Sequence, residues 1–270
     1  MRPYPAISIL ITGLAGVLLA AGGCSADDGG TTDGGPDTGD AGDGGAVCGS
    51  SPGALSTCLV PRQDAGYYIE QAKKYFDTLD YTASPDSIPN YSTLAARWEW
   101  PPWLKLTGYG HDQMIELDKV VAKATPATIP VLDCRAFPVQ PFARCRMSFL
   151  YDQGSCPIFE EFTFNDQGEM TFIEAWSDLP GMRPTEDPND PWAEAAGIRR
   201  MSTKIPGLGN ATGLIDPASV WMRQAAKSDP DVADFMVRAK DFWTYWLQES
   251  KNAGEDLFAR GCGWKSVTRP

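Results

Sequence analysis

Glu160 and Glu174 are the two residues whose type and spacing point most directly to chemistry. Between them, Asn165-Asp166-Gln167-Gly168-Glu169 reads as a type I turn followed by a glycine bulge, a common three-residue hairpin loop. That loop pairs Asn165 with Glu169 and predicts Glu160 opposite Glu174. Strand side chains alternate between faces, so Ile158, Phe162, Phe164, Met170, Phe172 and Trp176 fall on the same side. If Asp152 pairs with Pro157 across the preceding loop, Cys145, Met147, Phe149 and Tyr151 join them. Two carboxylates side by side on an apolar face raise each other's proton affinity, as does burial. One of them then stays neutral near pH 7, which is an acid/base arrangement. The competing reading pairs one glutamate with an arginine or leaves it at the wet end of the sheet. A different loop register would move Glu174 to the other face, where Glu161, Thr163, Arg144, Arg146 and Ser148 look solvated or interfacial.

Other candidates are fewer. His111 is the only histidine. It opens a helix beside Asp112, where the helix N-terminus disfavours its protonated form. A neutral base is conceivable there, assisted by Tyr109, although capping or packing accounts for it as well. Trp98, Trp100 and Trp103 frame Pro101-Pro102 and offer either an aromatic mouth or plain core. With Phe149, Tyr151, Phe162, Phe172 and Trp176 they make up the expected lining of an apolar pocket. The run Gly207-Leu208-Gly209-Asn210-Ala211-Thr212-Gly213 lacks the lysine of a phosphate loop. No serine stands in a nucleophile elbow. There is no CxxC to hold zinc, and the glycine–aspartate run 25–46 is too irregular for calcium. No metal or cofactor is expected. The formal charge is −12, and Asp27, Asp28, Asp33, Asp37, Asp40 and Asp43 supply about half of it from one segment. No basic run exists, which argues against nucleic acid.

These residues need elements to position them. Asp64 caps a predicted helix with Tyr68, Ala72, Tyr75, Phe76 and Leu79 as its apolar stripe. Ser92 can cap a second through Leu94, Ala95 and Trp98, stopped by Pro101-Pro102. Trp103 to Tyr109 reads as a short strand, and Gly110 opens a third helix carrying Met114, Leu117 and Val121. Four strand-like runs follow, PVLDCRAF, ARCRMSFLYD, PIFEEFTFN and EMTFIEAW, joined by short loops as in an antiparallel meander. After Asp178 a proline-rich stretch runs to about Ile215. Asp216-Pro217 and Asp229-Pro230 then each start a helix, the last carrying Phe235, Phe242, Trp243 and Trp246.

Gly110-His111-Asp112-Gln113-Met114 resembles the glycine-led third helix of the NTF2-like (SnoaL-like) family. Phe162 to Thr171 and Glu174-Ala175-Trp176-Ser177-Asp178 resemble its last hairpin. The resemblance spans about residues 65–178. It implies an α+β cone, with N-terminal helices on a curved antiparallel sheet around a pocket. Residues 179–270 would be a helical extension. Limonene epoxide hydrolases of this fold activate water with an Asp–Arg–Asp set, whose last-strand carboxylate falls at Glu174. The other two members find no clean match among Arg144, Arg146 and Ser148.

The N-terminus carries an address. An apolar run from Ile7 to Ala21 follows Arg2, and Ala20-Ala21-Gly22-Gly23 precede Cys24. This resembles a lipoprotein signal peptide over 1–23, with Cys24 as the lipidated, palmitate-bearing residue. The run is short for a membrane span, which needs roughly 20 apolar residues. Residues 24–46 read as a disordered Gly/Asp tether, followed by the cone domain over 47–178 and the extension over 179–270. The domain would then sit in the cell envelope, anchored to a membrane through its lipid. Six cysteines remain after Cys24, and in an exported chain they predict three disulfides. The favoured pairing is Cys48–Cys58, Cys134–Cys145 and Cys156–Cys262.

Three functions remain open, in order. The chain binds a small, largely apolar molecule in its pocket. It is a cofactor-free isomerase, cyclase or hydrolase of the SnoaL-like kind. Or it is a structural or accessory envelope protein.

Overall fold

A computed structural model describes residues 60–84, 86–100, 108–115, 126–151, 154–177, 181–195, 197–204 and 220–240. All belong to one compact unit, Gly45–Pro270. Helix α1 spans Ala65–Leu79, and Asp64 caps it by accepting the Tyr67 N–H. Its buried stripe holds Tyr68, Ala72, Tyr75, Phe76 and Leu79, the residues its periodicity predicts. Six strands follow: β1 Tyr91–Glu99, β2 Gly108–Tyr109, β3 Thr128–Ala136, β4 Ala143–Tyr151, β5 Gly154–Phe164 and β6 Met170–Ser177. They form one curled sheet in the order β2-β1-β6-β5-β4-β3. The run from β3 to β6 is the expected antiparallel meander, whereas β1 lies parallel to β6. The sheet is therefore mixed, and the fold is α+β.

The second predicted helix is a strand. Ser92, Leu94, Ala95 and Trp98 fit helical spacing, yet all lie in β1. Position alternates two by two at its end: Arg97 and Glu99 face α1, while Trp98 and Trp100 face away. Pairing with β6 and β2 overrides the local helical signal, because the ladder and two packed faces satisfy more of the chain. Of the third helix, residues 111–115 are described and helical, with Gly110 at positive φ before them.

Both faces of the sheet are covered. On one, α1 packs over Phe142, Met147, Phe149, Ile158, Phe162 and Phe164. On the other lie Trp192, Ile198 and the short 3₁₀ turn Met201–Lys204, together with α2 (Val220–Ala225) and α3 (Pro230–Lys240). Asp229 caps α3 by accepting from the N–H groups of Asp231 and Val232, as its Asp-Pro start predicts. Asp216-Pro217 and the Gly207–Gly213 run lie outside the described residues. Cys134 and Cys145 are directly opposed on β3 and β4 and form a disulfide. Cys156 is also disulfide-bonded. Its proposed partner Cys262, and Cys48 and Cys58, are outside the described residues, as are Cys24 and the tether.

The β5–β6 loop folds as its residues dictate. The Asn165 N–H donates to Glu169 O, the Gly168 N–H donates to Asn165 O, and Gly168 sits at φ +79°. A Cβ there would lie 3.0–3.1 Å from Tyr67 and Gln63 side-chain atoms. Tyr67 also donates its hydroxyl to Gly168 O. Gly168→Ala should therefore cost about 1–2 kcal/mol, from the left-handed backbone alone, measured as a lower urea midpoint.

Candidate functional site

One residue just past this loop decides the site. Phe164 pairs with Met170, but Thr163 pairs with Phe172, so Thr171 is an extra residue, a bulge on β6. Its hydroxyl donates to Thr163 O. From there on every β6 side chain is switched to the other face. Glu174 therefore stands opposite Glu161, not Glu160. The predicted glutamate pair is not formed: Glu160 points toward α1, and Glu174 points toward the C-terminal cover with Phe172 and Trp176. The register across β4 and β5 also differs from expectation, with Phe149 opposite Cys156 rather than Asp152 opposite Pro157. That slip is an even number of residues, so Met147, Phe149 and Tyr151 still share the Glu160 face.

Glu160 is fully buried, and its partner is Arg97. Arg97 Nη2 lies 2.9 Å from Glu160 Oε1, Nη1 lies 2.6 Å from Glu99 Oε1, and Nε donates to the Tyr75 hydroxyl at 2.8 Å. The result is a carboxylate–guanidinium–carboxylate set under α1, closed by a tyrosine. Burial opposes the charge on Arg97, but Tyr75, Glu99 and Glu160 outweigh it and hold its proton more firmly. Glu160 is raised to about 7, by burial first; Arg97 works against the rise and Glu99 with it. Glu160 Oε2 is buried and has no hydrogen-bond partner among the described residues, although the nearby Tyr75 hydroxyl helps to lower the pKa of the carboxyl. Tyr151 is half-buried beside the set; burial and then the charge of Glu99 push its pKa up. Phe149 stacks on Tyr151, while Phe162 packs on Tyr75 and Phe76.

The other glutamates serve the opposite face. Glu174 Oε1 accepts from Trp100 Nε1 at 2.8 Å and from the Met201 N–H at 2.5 Å. Its pKa is raised to about 8, by burial first and then by the charge of Glu161. Glu161 accepts two bonds from Arg200, at 2.6 and 2.7 Å. Arg144, 1% exposed, donates to the carbonyls of Trp192 and Ala193. These bonds fasten Trp192, Ala193, Arg200 and Met201 onto the sheet. The face expected to be solvated or interfacial is thus an interface at Arg144, Glu161 and Thr163, and it opens to solvent toward Arg146, Ser148 and Leu150.

The remaining candidates are spread out. His111 is partly exposed, 3.2 Å from Asp112 Oδ1, and no contact among the described residues joins it to Glu160 or Glu174. Tyr109 pairs in β2 with Ala96. Trp98 and Trp100 are buried in an aromatic cluster with Trp176 and Phe235, so they belong to the far core and not to a mouth; Trp103 is outside the described residues. Phe172 and Trp176 lie in that same far core, separated by the sheet from Phe149, Tyr151 and Phe162. The residues that sequence reasoning missed are Arg97, Glu99 and Tyr75. The signal was present in Arg97-Trp98-Glu99-Trp100, a charged–aromatic alternation with the period of a strand. No family model matches the chain, and no curated protein matches it.

Proposed function

We propose that the chain is an NTF2-like protein whose site lies on the α1 side of the sheet, where it holds a small, largely apolar molecule. Glu160 acts on that molecule as a cofactor-free general acid/base. The observation that carries this reading is the buried Glu160 Oε2, without a hydrogen-bond partner among the described residues, inside the Glu99–Arg97–Glu160 set. Such an orphan calls for a water or a ligand group. A carboxyl raised to about 7 can give or take a proton near neutrality. Arg97 keeps the developing charge compensated, and Tyr75 orients its fork. The charge pattern is that of the Asp–Arg–Asp set of the limonene epoxide hydrolases, with glutamates in place of the aspartates, on Glu99, Arg97 and Glu160 rather than around Glu174. A hydrolase, isomerase or cyclase is accordingly favoured.

The test is a comparison of wild type with Glu160→Gln, each incubated with an extract of small apolar molecules and followed by mass spectrometry. A substrate is a species consumed by wild type and consumed at least about a hundredfold more slowly by the variant. Equal consumption by both removes Glu160 from the chemistry. A species retained by both and consumed by neither favours binding without turnover. The apolar surroundings of the set, Phe149, Phe162 and Ile158, fit that second reading as well.

The proposed location is the cell envelope, with the chain anchored through lipid on Cys24. Expression with labelled palmitate should mark the wild-type chain and leave Cys24→Ala unmarked; label persisting in the variant would sink the assignment.

A further inference from the structure

Both faces of the sheet are covered, so another chain can join it only along an edge. One edge, β2, is two residues long; the other, β3, is nine. Among the described residues the sheet ends at β3, with β4 its one neighbour. A strand of that length at an edge is a template for pairing wherever nothing blocks it. Two features shorten the template. At its start Asp80 Oδ2 accepts the Ile129 N–H, and the Tyr81 N–H donates to Ala127 O. Pro130 and Pro138 bracket the rest, and neither has an N–H to give. The open stretch runs from Val131 to Phe137.

The backbone direction within that stretch is fixed by its ladder. The Phe137 N–H donates to Phe142 O at 2.9 Å. Strand residues alternate, so Arg135, Asp133 and Val131 also bond across to β4, opposite Arg144, Arg146 and Ser148. Leu132, Cys134 and Ala136 therefore turn their N–H and C=O groups to the outer edge. The side chains of Leu132 and Cys134 pack on the α1-side core. The opposite face of β3 carries Val131, 58% exposed, then Asp133 and Arg135, whose side chains are both more than half exposed. Asp133 and Arg135 meet at 3.3 Å, and the Arg135 guanidinium lies over the Trp192 ring.

We infer that this edge joins a second copy of the chain, β3 to β3, antiparallel about a two-fold axis at Cys134. The register follows by exclusion. An axis at Asp133 sets two aspartates opposite each other, and one at Arg135 sets two arginines, and like charges so placed are destabilising. An axis at Leu132 or Ala136, or nearer either end, lays a proline opposite a group that needs an N–H. The axis at Cys134 avoids both faults. It puts Asp133 opposite Arg135 of the second copy, and Arg135 opposite its Asp133. Pro130 and Pro138 then face each other just past both ends of the seam. Leu132, Cys134 and Ala136 exchange about six backbone hydrogen bonds across it. Each charge keeps its partner within its own strand and gains the opposite charge across the seam, so the four alternate in sign. Beyond the prolines, the exposed Val139 of one copy is carried toward the exposed Tyr81 of the other. Such an interface is isologous and closes at two chains. It is independent of the function proposed for Glu160.

The test is sedimentation equilibrium of the full chain in a density-matched non-ionic detergent, which takes up the apolar run Ile7–Ala21. Wild type should approach twice the mass of one chain as its concentration rises. Arg135→Asp sets aspartates opposite each other at both symmetric positions and should raise the dissociation constant of the dimer about tenfold or more. Adding Asp133→Arg to that variant should restore wild-type association, because opposite charges then meet again. Ala136→Pro removes an edge N–H that β4 does not use, and it should abolish the dimer. Urea midpoints close to wild type show that the variants are folded, and neither misfolding nor association through the apolar run would produce the recovery in the double variant. A wild type that stays monomeric at every concentration, wild-type association in Arg135→Asp or Ala136→Pro, or a folded double variant that fails to recover would each overturn the assignment.

Discussion

Replacing Glu161 by alanine is expected to lower the free energy of unfolding by about 3–5 kcal/mol, the usual cost of breaking a buried ion pair from one side. Glu161 is 1% exposed and takes both bonds of the Arg200 fork, with Arg144 Nε 3.8 Å away. Its removal leaves two guanidinium groups facing each other in a place that already lowers the pKa of Arg144, by burial first and also by the charge of Arg200. The loss is a large share of the roughly 5–15 kcal/mol that holds a domain folded. Because the pair is buried, added salt should not screen the effect away. Urea unfolding followed by tryptophan fluorescence reads it, since Trp192 sits in the segment that Arg144 and Arg200 hold. A loss below about 1 kcal/mol would mean that the cover is held by its apolar contacts alone. The same variant should lower the pKa of Glu174, since the charge of Glu161 helps to raise it.

The second large effect is on pH. Glu160 and Glu174 bind protons in the folded chain up to about 7 and about 8, while in the unfolded chain both release them near the ordinary value of 4.5. Between those limits the folded state carries more protons than the unfolded state, so stability falls as pH rises. The stabilisation is fully present below about 4.5 and is lost as pH climbs through 7 and 8. Each group contributes a slope of up to about 1.4 kcal/mol per pH unit, and the total from pH 5 to 8 is on the order of a few kcal/mol. Asp80 and Asp229 act in the opposite sense. Burial would raise their pKa values, but hydrogen bonds, led by Thr82 for Asp80 and by Lys204 for Asp229, lower them. Their stabilisation is therefore lost in acid, below the ordinary aspartate range. Urea midpoints should thus be highest in mild acid and drop toward pH 8, and Glu174→Gln should flatten the descent. A midpoint that is level or rising from pH 5 to 8 would show that both carboxyls stay ionised in the folded chain.

Much of the frame was legible because the signals are local. Asp64 with its apolar stripe, Asp229-Pro230, and the Asn165–Glu169 loop each specify their own backbone through a cap, a ring or a glycine. The strands from β3 to β6 announced themselves by β-rich runs between short loops, and the favoured Cys134–Cys145 pair lies directly opposed on neighbouring β3 and β4. β1 was misread because Ser92, Leu94, Ala95 and Trp98 satisfy helical spacing over one short window. Only the alternation from Arg97 to Trp100 argued otherwise, and the strand it lies parallel to, β6, is far along the chain.

The sequence by itself determined which residues are available for acid/base work and for holding apolar surface, since composition and short-range periodicity carry that information. Tertiary structure decided which of them meet. A single extra residue, Thr171, turns Glu174 away from Glu160, because side-chain direction has a period of two and one insertion inverts everything after it. Arg97 reaches Glu160 across 63 positions of sequence. Nothing local sets that distance; it follows from the placing of β1 beside β6 and from two packed faces that bring the buried carboxylate and guanidinium together.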